Sequence, residues 1–333
     1  MMLNKMLFFT LFIFAIMYAI STNSLINCWM SMEVNLICFI YIIHMNNNIM
    51  KSEISMKYFL INSISSMNFL FLYLYYNINW NTWENLISIK LFYFIMNMIL
   101  LMKLGMAPFH FWFPSISEGL SWLNMLILST LQKIIPMMII FFNVSFLMML
   151  FSLLLSSFVG SWGGLNQTSL RKILAYSSIN HMSWMTINLI YNFQIWKLYF
   201  ILYSFHNLII MYLLHYLNFN NIYNYFFMKN NNYLKIIFFL NFLSLGGLPP
   251  FLGFMMKWIT IKMILFKMNM LIFILIMNSL ISLYYYVQIT YSSMFLNSYF
   301  IMNNLFYLKN KSSMINIIIT STISLNLIFI IFY

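Results

Sequence analysis

The stretch Lys103–Pro114, KLGMAPFHFWFP, interrupts a long apolar run with an amine, a glycine, two prolines and a histidine. A lysine at the centre of a lipid bilayer costs about 2.5–3.5 kcal/mol on insertion scales, so a lysine at that depth indicates a functional site. Pro108 cannot donate a backbone hydrogen bond, and its ring clashes with the carbonyl four residues earlier. We therefore predict that a membrane-spanning helix kinks or breaks here, and that the freed backbone groups find partners in protein or water.

The composition identifies the class of protein. Of the 333 residues, 63% are hydrophobic and only 6% are charged, whereas soluble domains carry about 25% charged residues. This predicts an all-α polytopic membrane protein. The net charge of +12 suits short loops that set the topology, and no basic run interleaved with aromatic residues indicates nucleic-acid binding. Two cysteines, Cys28 and Cys38, cannot hold an iron–sulfur cluster, and no phosphate-binding glycine motif is present. We expect no metal or cofactor on this chain.

Apolar runs of about 20 residues predict about eleven spanning helices. Their approximate bounds are 5–21, 24–43, 55–76, 86–112, 121–142, 144–163, 170–190, 196–217, 235–262, 269–292 and 313–332. The first run lacks a small-residue cleavage site, so it is interpreted as a spanning helix and not as a signal peptide. No hydrophilic domain is present, and residues 1–333 are predicted to form a single transmembrane domain.

Loop charges predict the orientation. An odd number of spans places the termini on opposite sides of the membrane, and lysine and arginine concentrate on the cytoplasmic or matrix side. The side of the N-terminus carries nine loop cations: Lys5, Lys51, Lys57, Arg171, Lys172, Lys229, Lys235, Lys309 and Lys311. The other side carries four: Lys90, Lys197, Lys262 and Lys267. The N-terminus is therefore predicted to face the cytoplasm or the matrix.

Four ionisable residues remain at the predicted membrane depth: Glu33, Lys103, Lys133 and Lys257. Burial disfavours the charged form of a lysine, and a nearby carboxylate favours it. Glu33 is the acid placed to act on Lys103 in this way, which predicts a lysine that gains or loses a proton when its partner moves. The alternative is a static pair that pins two helices together, although three buried lysines with one acid fit that alternative poorly.

Two histidines are candidate proton relays. His110 lies seven residues after Lys103, about 10 Å away along a continuous helix, and His181 lies within a later span, as does His206. A neutral imidazole can pass a proton between its two nitrogens. The alternative for each histidine is structural, such as a hydrogen bond to a carbonyl that the break sets free.

A second interruption lies at residues 241–258, NFLSLGGLPPFLGFMMKW. Adjacent prolines at 249 and 250 remove two donors and disfavour the helical conformation at Leu248, so a break is predicted before Lys257. Two Gly/Pro-interrupted spans, each with a lysine, are typical of transporters built from inverted repeats. Five spans separate the two lysines, and an odd number inverts the topology between the repeats.

Four stretches together resemble a known family. KLGMAPFHFWFP, LQKIIP (131–136), GGLNQTSLRKILAYSSINHMSWM (163–185) and SLGGLPPFLGFMMKW (244–258) are similar to motifs of the chain 2 family of mitochondrial NADH:ubiquinone oxidoreductase, the respiratory complex I, in its short animal form. The resemblance implies an antiporter-like subunit of the membrane arm, with two inverted five-helix bundles and two broken helices. By motif position, it implies that Glu33, Lys103, Lys133 and Lys257 form a charged axis for proton translocation.

The resemblance also implies the setting in which the chain works. Electrons would pass from NADH through FMN and iron–sulfur clusters to ubiquinone in other subunits, and this chain would move protons without a cofactor of its own. The implied partners are other membrane-arm subunits, antiporter-like neighbours and lipids. The implied location is the mitochondrial inner membrane, with the N-terminus in the matrix and the C-terminus in the intermembrane space.

Some alternatives stay open at the level of sequence. The family usually has an acid directly after the proline where this chain has Ser115, and the nearest acid is Glu118, so the role of an acid at that membrane face is open. Two other functions compete with proton translocation. One is a structural subunit that is needed only for assembly, and the other is a free-standing cation/proton antiporter.

Overall fold

The computed structural model describes residues 2–44, 49–79, 85–222, 232–249, 251–265 and 267–295. These residues are almost entirely helical, and the β pairing recorded among them is one isolated bridge between Ser169 and Asn221. The helices are α1 (Met2–Ser21), α2 (Leu25–His44), α3 (Ile49–Asn79), α4 (Asn85–Leu104), α5 (Trp112–Gly119), α6 (Trp122–Ser129), α7 (Leu131–Phe142), α8 (Phe146–Trp162), α9 (Leu170–Tyr191), α10 (Phe193–Leu217), α11 (Asn232–Gly246), α12 (Leu252–Ile264) and α13 (Asn269–Phe295).

Most predicted spans correspond to one helix. The first three agree with α1 to α3, and four later ones agree with α8, α9, α10 and α13. The predicted division near residue 143 is also present, since α7 ends at Phe142 and α8 begins at Phe146. The last predicted span, 313–332, lies outside the described residues, so the number eleven stays a prediction.

Three predicted spans are divided in the structure. The run 86–112 was predicted to kink or break at Pro108, but α4 already ends at Leu104 and α5 begins only at Trp112. The run 121–142 corresponds to one segment long enough to span, Trp122–Phe142, and within it Thr130 separates α6 from α7, an interruption that was not predicted. The run 235–262 is divided into α11 and α12, as its prolines indicated.

Glycine, and not proline, terminates the helix at both predicted breaks. Gly105 has φ +68° and Gly247 has φ +81°, a left-handed conformation that favours glycine. At each site the glycine N–H bonds to the carbonyl three residues back, and the next N–H bonds to the carbonyl five residues back. This is the Schellman arrangement, which satisfies carbonyls that a helix end would otherwise leave unpaired. The two breaks therefore share one local geometry.

The helices pack as two adjoining bundles. Helices α1 to α5 and α7 form the first bundle, in which α7 contacts α1, α2 and α4. Helices α8 to α13 form the second, in which α9 contacts α8, α10, α12 and α13. Helix α5 packs against α9, and α6 packs against α10. The two bundles thus meet beside the first break.

Among the described residues, five helical segments are long and apolar enough to cross a membrane. They are Asn4–Ser21, Leu25–His44, Trp122–Phe142, Phe193–Leu217 and Asn269–Thr290. Large apolar side chains on their outer surfaces are exposed, including Phe14, Ile37, Ile201 and Phe273. Apolar side chains on the outer surface suit contact with lipid, because a polar group there would have no water to bond.

Candidate functional site

Lys103 lies in the last turn of α4, two residues before Gly105. Its ammonium contacts the sulfur of Met32 on α2 at 3.4 Å, and sulfur is only a weak acceptor. Glu33 follows Met32, and its Oε1 atom is buried with no hydrogen-bond partner among the described residues. No ion pair within 4.0 Å joins Glu33 to Lys103, although their charges interact at longer range. The direct pair that the sequence suggested is not formed in this structure.

A cavity separates Lys103 from Lys133. The volume that the centres of water molecules can occupy in it is about 30 Å³. One water needs about 10–15 Å³ of such volume, so the cavity accommodates two or three. Three buried polar atoms of its lining have no hydrogen-bond partner among the described residues: Asn35 Oδ1, Gln132 Nε2 and Lys133 Nζ. Buried polar groups normally have a hydrogen-bond partner, and water serves where protein does not. The cavity therefore has the size and the polarity to be hydrated.

Lys133 lies on α7, three residues after the interruption at Thr130. Only 2% of the residue is exposed. Its ammonium faces two aromatic rings, Phe113 of α5 at 5.0 Å and Tyr203 of α10 at 5.6 Å from the ring centroids. A cation over a desolvated ring is stabilised by about 2 kcal/mol or more. The two rings come from the two bundles, so Lys133 lies at their junction.

His181 continues the polar interior into the second bundle. It is buried on α9, and its Nδ1 atom lies 2.9 Å from the hydroxyl of Tyr199 on α10. Its ring also lies 5.1 Å from that of Tyr203, the ring that Lys133 faces. Helix α9 packs against α12, which carries Lys257, so His181 lies on a helix that adjoins both the ring contacted by the central lysine and the second broken span.

Lys257 lies on α12, after the second break, with 6% of the residue exposed. Its ammonium donates a 2.8 Å hydrogen bond to the carbonyl oxygen of Gly246, the last residue of α11. A Cβ atom on Gly247 would lie 3.0 Å from the same ammonium. The amine thus sits directly on the helix end that the break exposes.

His110 is not brought together with the other candidates. It lies in the connection between α4 and α5, where its ring lies against that of Phe111 at a tilt of 34°, with centroids 4.1 Å apart. The ring interacts with the backbone of Pro108, and its Nδ1 atom has no hydrogen-bond partner among the described residues. The relay role of His110 therefore stays a prediction.

Freed backbone groups at the first break do find partners. The indole N–H of Trp112 donates to the carbonyl of Met102 at 3.0 Å, so α5 satisfies the end of α4. A Cβ atom on Gly105 would lie 2.9 Å from the Cβ atom of Phe113. Both this close approach and the positive φ angle therefore favour glycine at position 105.

Ser115 and Glu118 have local roles. The hydroxyl of Ser115 donates to the carbonyl of Trp112 within the same helix at 2.8 Å. Glu118 forms a 2.7 Å ion pair with Lys172, and the guanidinium of Arg171 donates to the Glu118 backbone carbonyl at 2.8 Å. The end of α5 is thereby held to the start of α9.

Sequence reasoning did not single out several residues around the lysines. These are the aromatic contacts Phe113 and Tyr203, the hydroxyl of Tyr199, and the polar cavity residues Asn35, Asn62 and Gln132. The amides carried a usable signal, because a polar side chain inside an apolar run faces the protein interior. Phe113, Tyr199 and Tyr203 carried no such signal, because nothing in the sequence distinguishes them from the other residues among the 36 phenylalanines and 23 tyrosines of this chain.

The fold and the interior cations define a polytopic helical membrane protein with interrupted helices and buried amines. Comparisons with known proteins give the family. The family described as "NADH:quinone oxidoreductase/Mrp antiporter, TM" matches residues 22–284. The chain belongs to this family, within the branch of proteins called NADH-ubiquinone oxidoreductase chain 2.

Two curated relatives illustrate that branch. The Anopheles gambiae NADH-ubiquinone oxidoreductase chain 2 is 42% identical over 95% of this chain and 94% of its own length. The Aedes aegypti protein of the same name is 41% identical over 94% and 93%. Among solved structures, a chain of respiratory complex I from Thermus thermophilus with bound aureothin covers 87% of this chain and 70% of its own length, with TM-score 0.79 and 22% identity. That structural likeness concerns the fold.

Proposed function

We propose that this chain is a core membrane-arm subunit of proton-translocating NADH:ubiquinone oxidoreductase, the respiratory complex I. It moves protons across the mitochondrial inner membrane, using energy released when other subunits reduce ubiquinone. Its partners are other membrane-arm subunits, including antiporter-like neighbours, and lipids. NADH, FMN, iron–sulfur clusters and ubiquinone belong to other subunits. The names of the relatives and the buried amines support this function.

We propose further that residues 1–333 form one transmembrane domain of about eleven spans, with inverted repeats. In this arrangement α4–α5 and α11–α12 are the two broken spans, and the glycine-terminated helix ends that they share support the pairing. The excess of loop cations on the side of the N-terminus supports a matrix location for that end and an intermembrane-space location for the C-terminus.

The proton path we propose runs through Glu33, Lys103, Lys133, His181 and Lys257. The observation that carries it is the polar cavity shared by Lys103 and Lys133. Water in the cavity passes a proton between the two amines, and His181 conducts it towards Lys257. Glu33 acts as a movable counter-charge: when its carboxylate approaches Lys103, the amine holds its proton, and when it withdraws, the amine releases it. His110 is outside this path.

The test uses the assembled complex in sealed vesicles. Lys103→Met removes the first amine at nearly the same side-chain length, and we expect loss of NADH-driven proton uptake with a normal amount of assembled complex. Normal proton-to-electron stoichiometry in this variant would contradict the proposed path. Loss of the complex and of pumping in the same proportion would favour the structural-subunit alternative.

A free-standing cation/proton antiporter is the remaining alternative. It predicts cation exchange by the isolated chain without NADH. Recovery of the chain only in a large NADH-oxidising assembly would exclude it.

A further inference from the structure

His206 is a buried titratable residue that the proposed path does not use. It lies on α10 with 3% of the residue exposed. Its Nδ1 atom is 3.3 Å from the hydroxyl oxygen of Ser244 on α11. Its Nε2 atom is also buried and has no hydrogen-bond partner in the part of the chain that the structure describes. The two ring nitrogens therefore have different surroundings.

Ser244 determines which nitrogen of His206 carries a hydrogen. The serine hydroxyl lies 2.7 Å from the backbone carbonyl of Asn241, and a carbonyl can only accept, so the single hydroxyl hydrogen is donated there. The contact between Ser244 and His206 then needs its hydrogen from the imidazole. Nδ1 is accordingly the N–H donor, and in the neutral ring Nε2 carries a lone pair.

The surroundings of His206 connect it with His181 and with Lys257, the last two residues of the proposed path. On one side, His181 contacts Tyr199 and Tyr203 of α10, which lie seven and three residues before His206 and therefore on the same face of that helix. On the other side Ser244 is part of the second break, where its carbonyl accepts the N–H of Gly247 at 3.1 Å and packs against Gly253 of α12. The same break holds Lys257 through Gly246. His206 is thus placed beside the proposed step from His181 to Lys257.

We propose that His206 binds a translocated proton at Nε2, as a storage site beside the path from His181 to Lys257. The inference rests on the proposed function. A proton that travels the path between His181 and Lys257 adds to the Nε2 lone pair and gives an imidazolium, and on release the same N–H bond breaks and the proton returns to the path. Nδ1 donates to Ser244 in both forms, so binding changes the charge of the ring and leaves this hydrogen bond in place.

The hydrogen bond of Ser244 also explains why His206 stores a proton and does not conduct it onward. The serine hydrogen is already donated to Asn241, so Ser244 accepts from Nδ1 and offers no hydrogen on a further path. A proton that enters at Nε2 leaves from Nε2.

The experiment compares variants of the assembled complex in sealed vesicles, with NADH-driven proton uptake as the readout. In His206→Asn the side-chain amide takes the place of Nδ1–H and keeps a donor for Ser244, but it binds no proton. We expect a rate about threefold or more below wild type with a normal amount of complex, because a positioned proton acceptor contributes to the rate of transfer. If this variant does not assemble, His206→Gln is measured by the same criterion.

Two further variants separate proton binding from positioning. Ser244→Ala removes the acceptor and keeps the imidazole, and it should pump within about twofold of wild type if proton binding is the main role. His215→Asn, at an exposed position nine residues later on α10, should leave pumping unchanged. A wild-type rate in His206→Asn would overturn the inference, as would an equal loss in Ser244→Ala. If Lys103→Met abolishes pumping while His206→Asn does not affect it, only this inference fails.

Discussion

The ammonium of Lys257 and the carbonyl of Gly246 are joined by a 2.8 Å hydrogen bond across the interruption between α11 and α12. A buried amine is thereby held by a backbone group that a continuous helix would have used for its own hydrogen bonding. Gly247, which has φ +81°, creates this arrangement by ending α11. The helix break is therefore part of the candidate site as well as part of the fold.

The first prediction concerns Gly247. In Gly247→Ala a Cβ atom would lie 3.0 Å from the ammonium of Lys257, and the left-handed backbone conformation costs an L-residue about 1–2 kcal/mol. We expect a lower thermal midpoint of the complex and reduced proton uptake. The control is Gly246→Ala, whose nearest neighbour would be a ring atom of Tyr286 at 3.4 Å, and which should have little effect. Equal behaviour of the two variants would contradict this role of Gly247.

The second prediction concerns the rings that face Lys133. Tyr203→Phe keeps the aromatic face under the ammonium, and we expect nearly normal proton uptake. Tyr203→Leu removes that face, which is worth about 2 kcal/mol or more when desolvated, so we expect uptake to fall severalfold. The measurement is the initial rate of NADH-driven uptake at equal amounts of complex. If Tyr203→Phe is as damaged as Tyr203→Leu, the hydroxyl and not the ring is what matters.

The third prediction concerns the contact between α5 and α9. Arg171 donates to the Glu118 carbonyl and to the side chain of Asn220 at 2.8 Å each, and its guanidinium lies 5.0 Å from the ring centroid of Trp122. Arg171→Lys cannot keep this forked geometry, and we expect a loss of about 1–3 kcal/mol of stability.

The matched control for Arg171 is Glu118→Gln. It removes only the ion pair with Lys172, and the Glu118 side chain is 50% exposed, so the expected loss is below about 1 kcal/mol. Thermal midpoints of the solubilised complex compare the two variants. A larger shift for Glu118→Gln than for Arg171→Lys would show that the ion pair, and not the guanidinium network, holds α5 to α9.

The fourth prediction concerns a buried hydrogen bond between α8 and α13. The amide of Asn278 donates to the hydroxyl of Ser157 at 2.9 Å. Such bonds between membrane helices contribute about 0.6 kcal/mol on average. A double-mutant cycle with Asn278→Ala and Ser157→Ala should give a coupling energy of this size. Strict additivity of the two thermal effects would mean that the bond contributes nothing measurable.

Much of the candidate site could be predicted from local chemistry. A lysine or glutamate inside an apolar run is noticed because its burial is costly, which identified Glu33, Lys103, Lys133 and Lys257. Prolines identified two breaks, although the adjacent glycines shifted the helix ends by about three residues, since Gly105 and Gly247 adopt left-handed conformations before the prolines are reached.

Other features could not be predicted in this way. The interruption at Thr130 has no glycine, and the proline of α7, Pro136, lies six residues later. The Thr130 hydroxyl and its N–H both donate to the carbonyl of Leu126, but threonine does this in many unbroken helices. Likewise, nothing near His206 in the sequence indicates that Ser244 fixes its tautomer, because the two residues lie 38 positions apart.

The sequence by itself determined that this is a helical membrane protein with charged residues in its interior and two interrupted spans. These properties follow from transfer free energy and from the backbone chemistry of proline and glycine, which act within a few residues. Only the tertiary structure decided that Lys103 contacts Met32, 71 residues away, and not Glu33. It also decided that Lys133 faces Phe113 and Tyr203 and that Lys257 binds the end of α11. Such contacts depend on how whole helices pack, and packing is set by the shapes of many side chains at once.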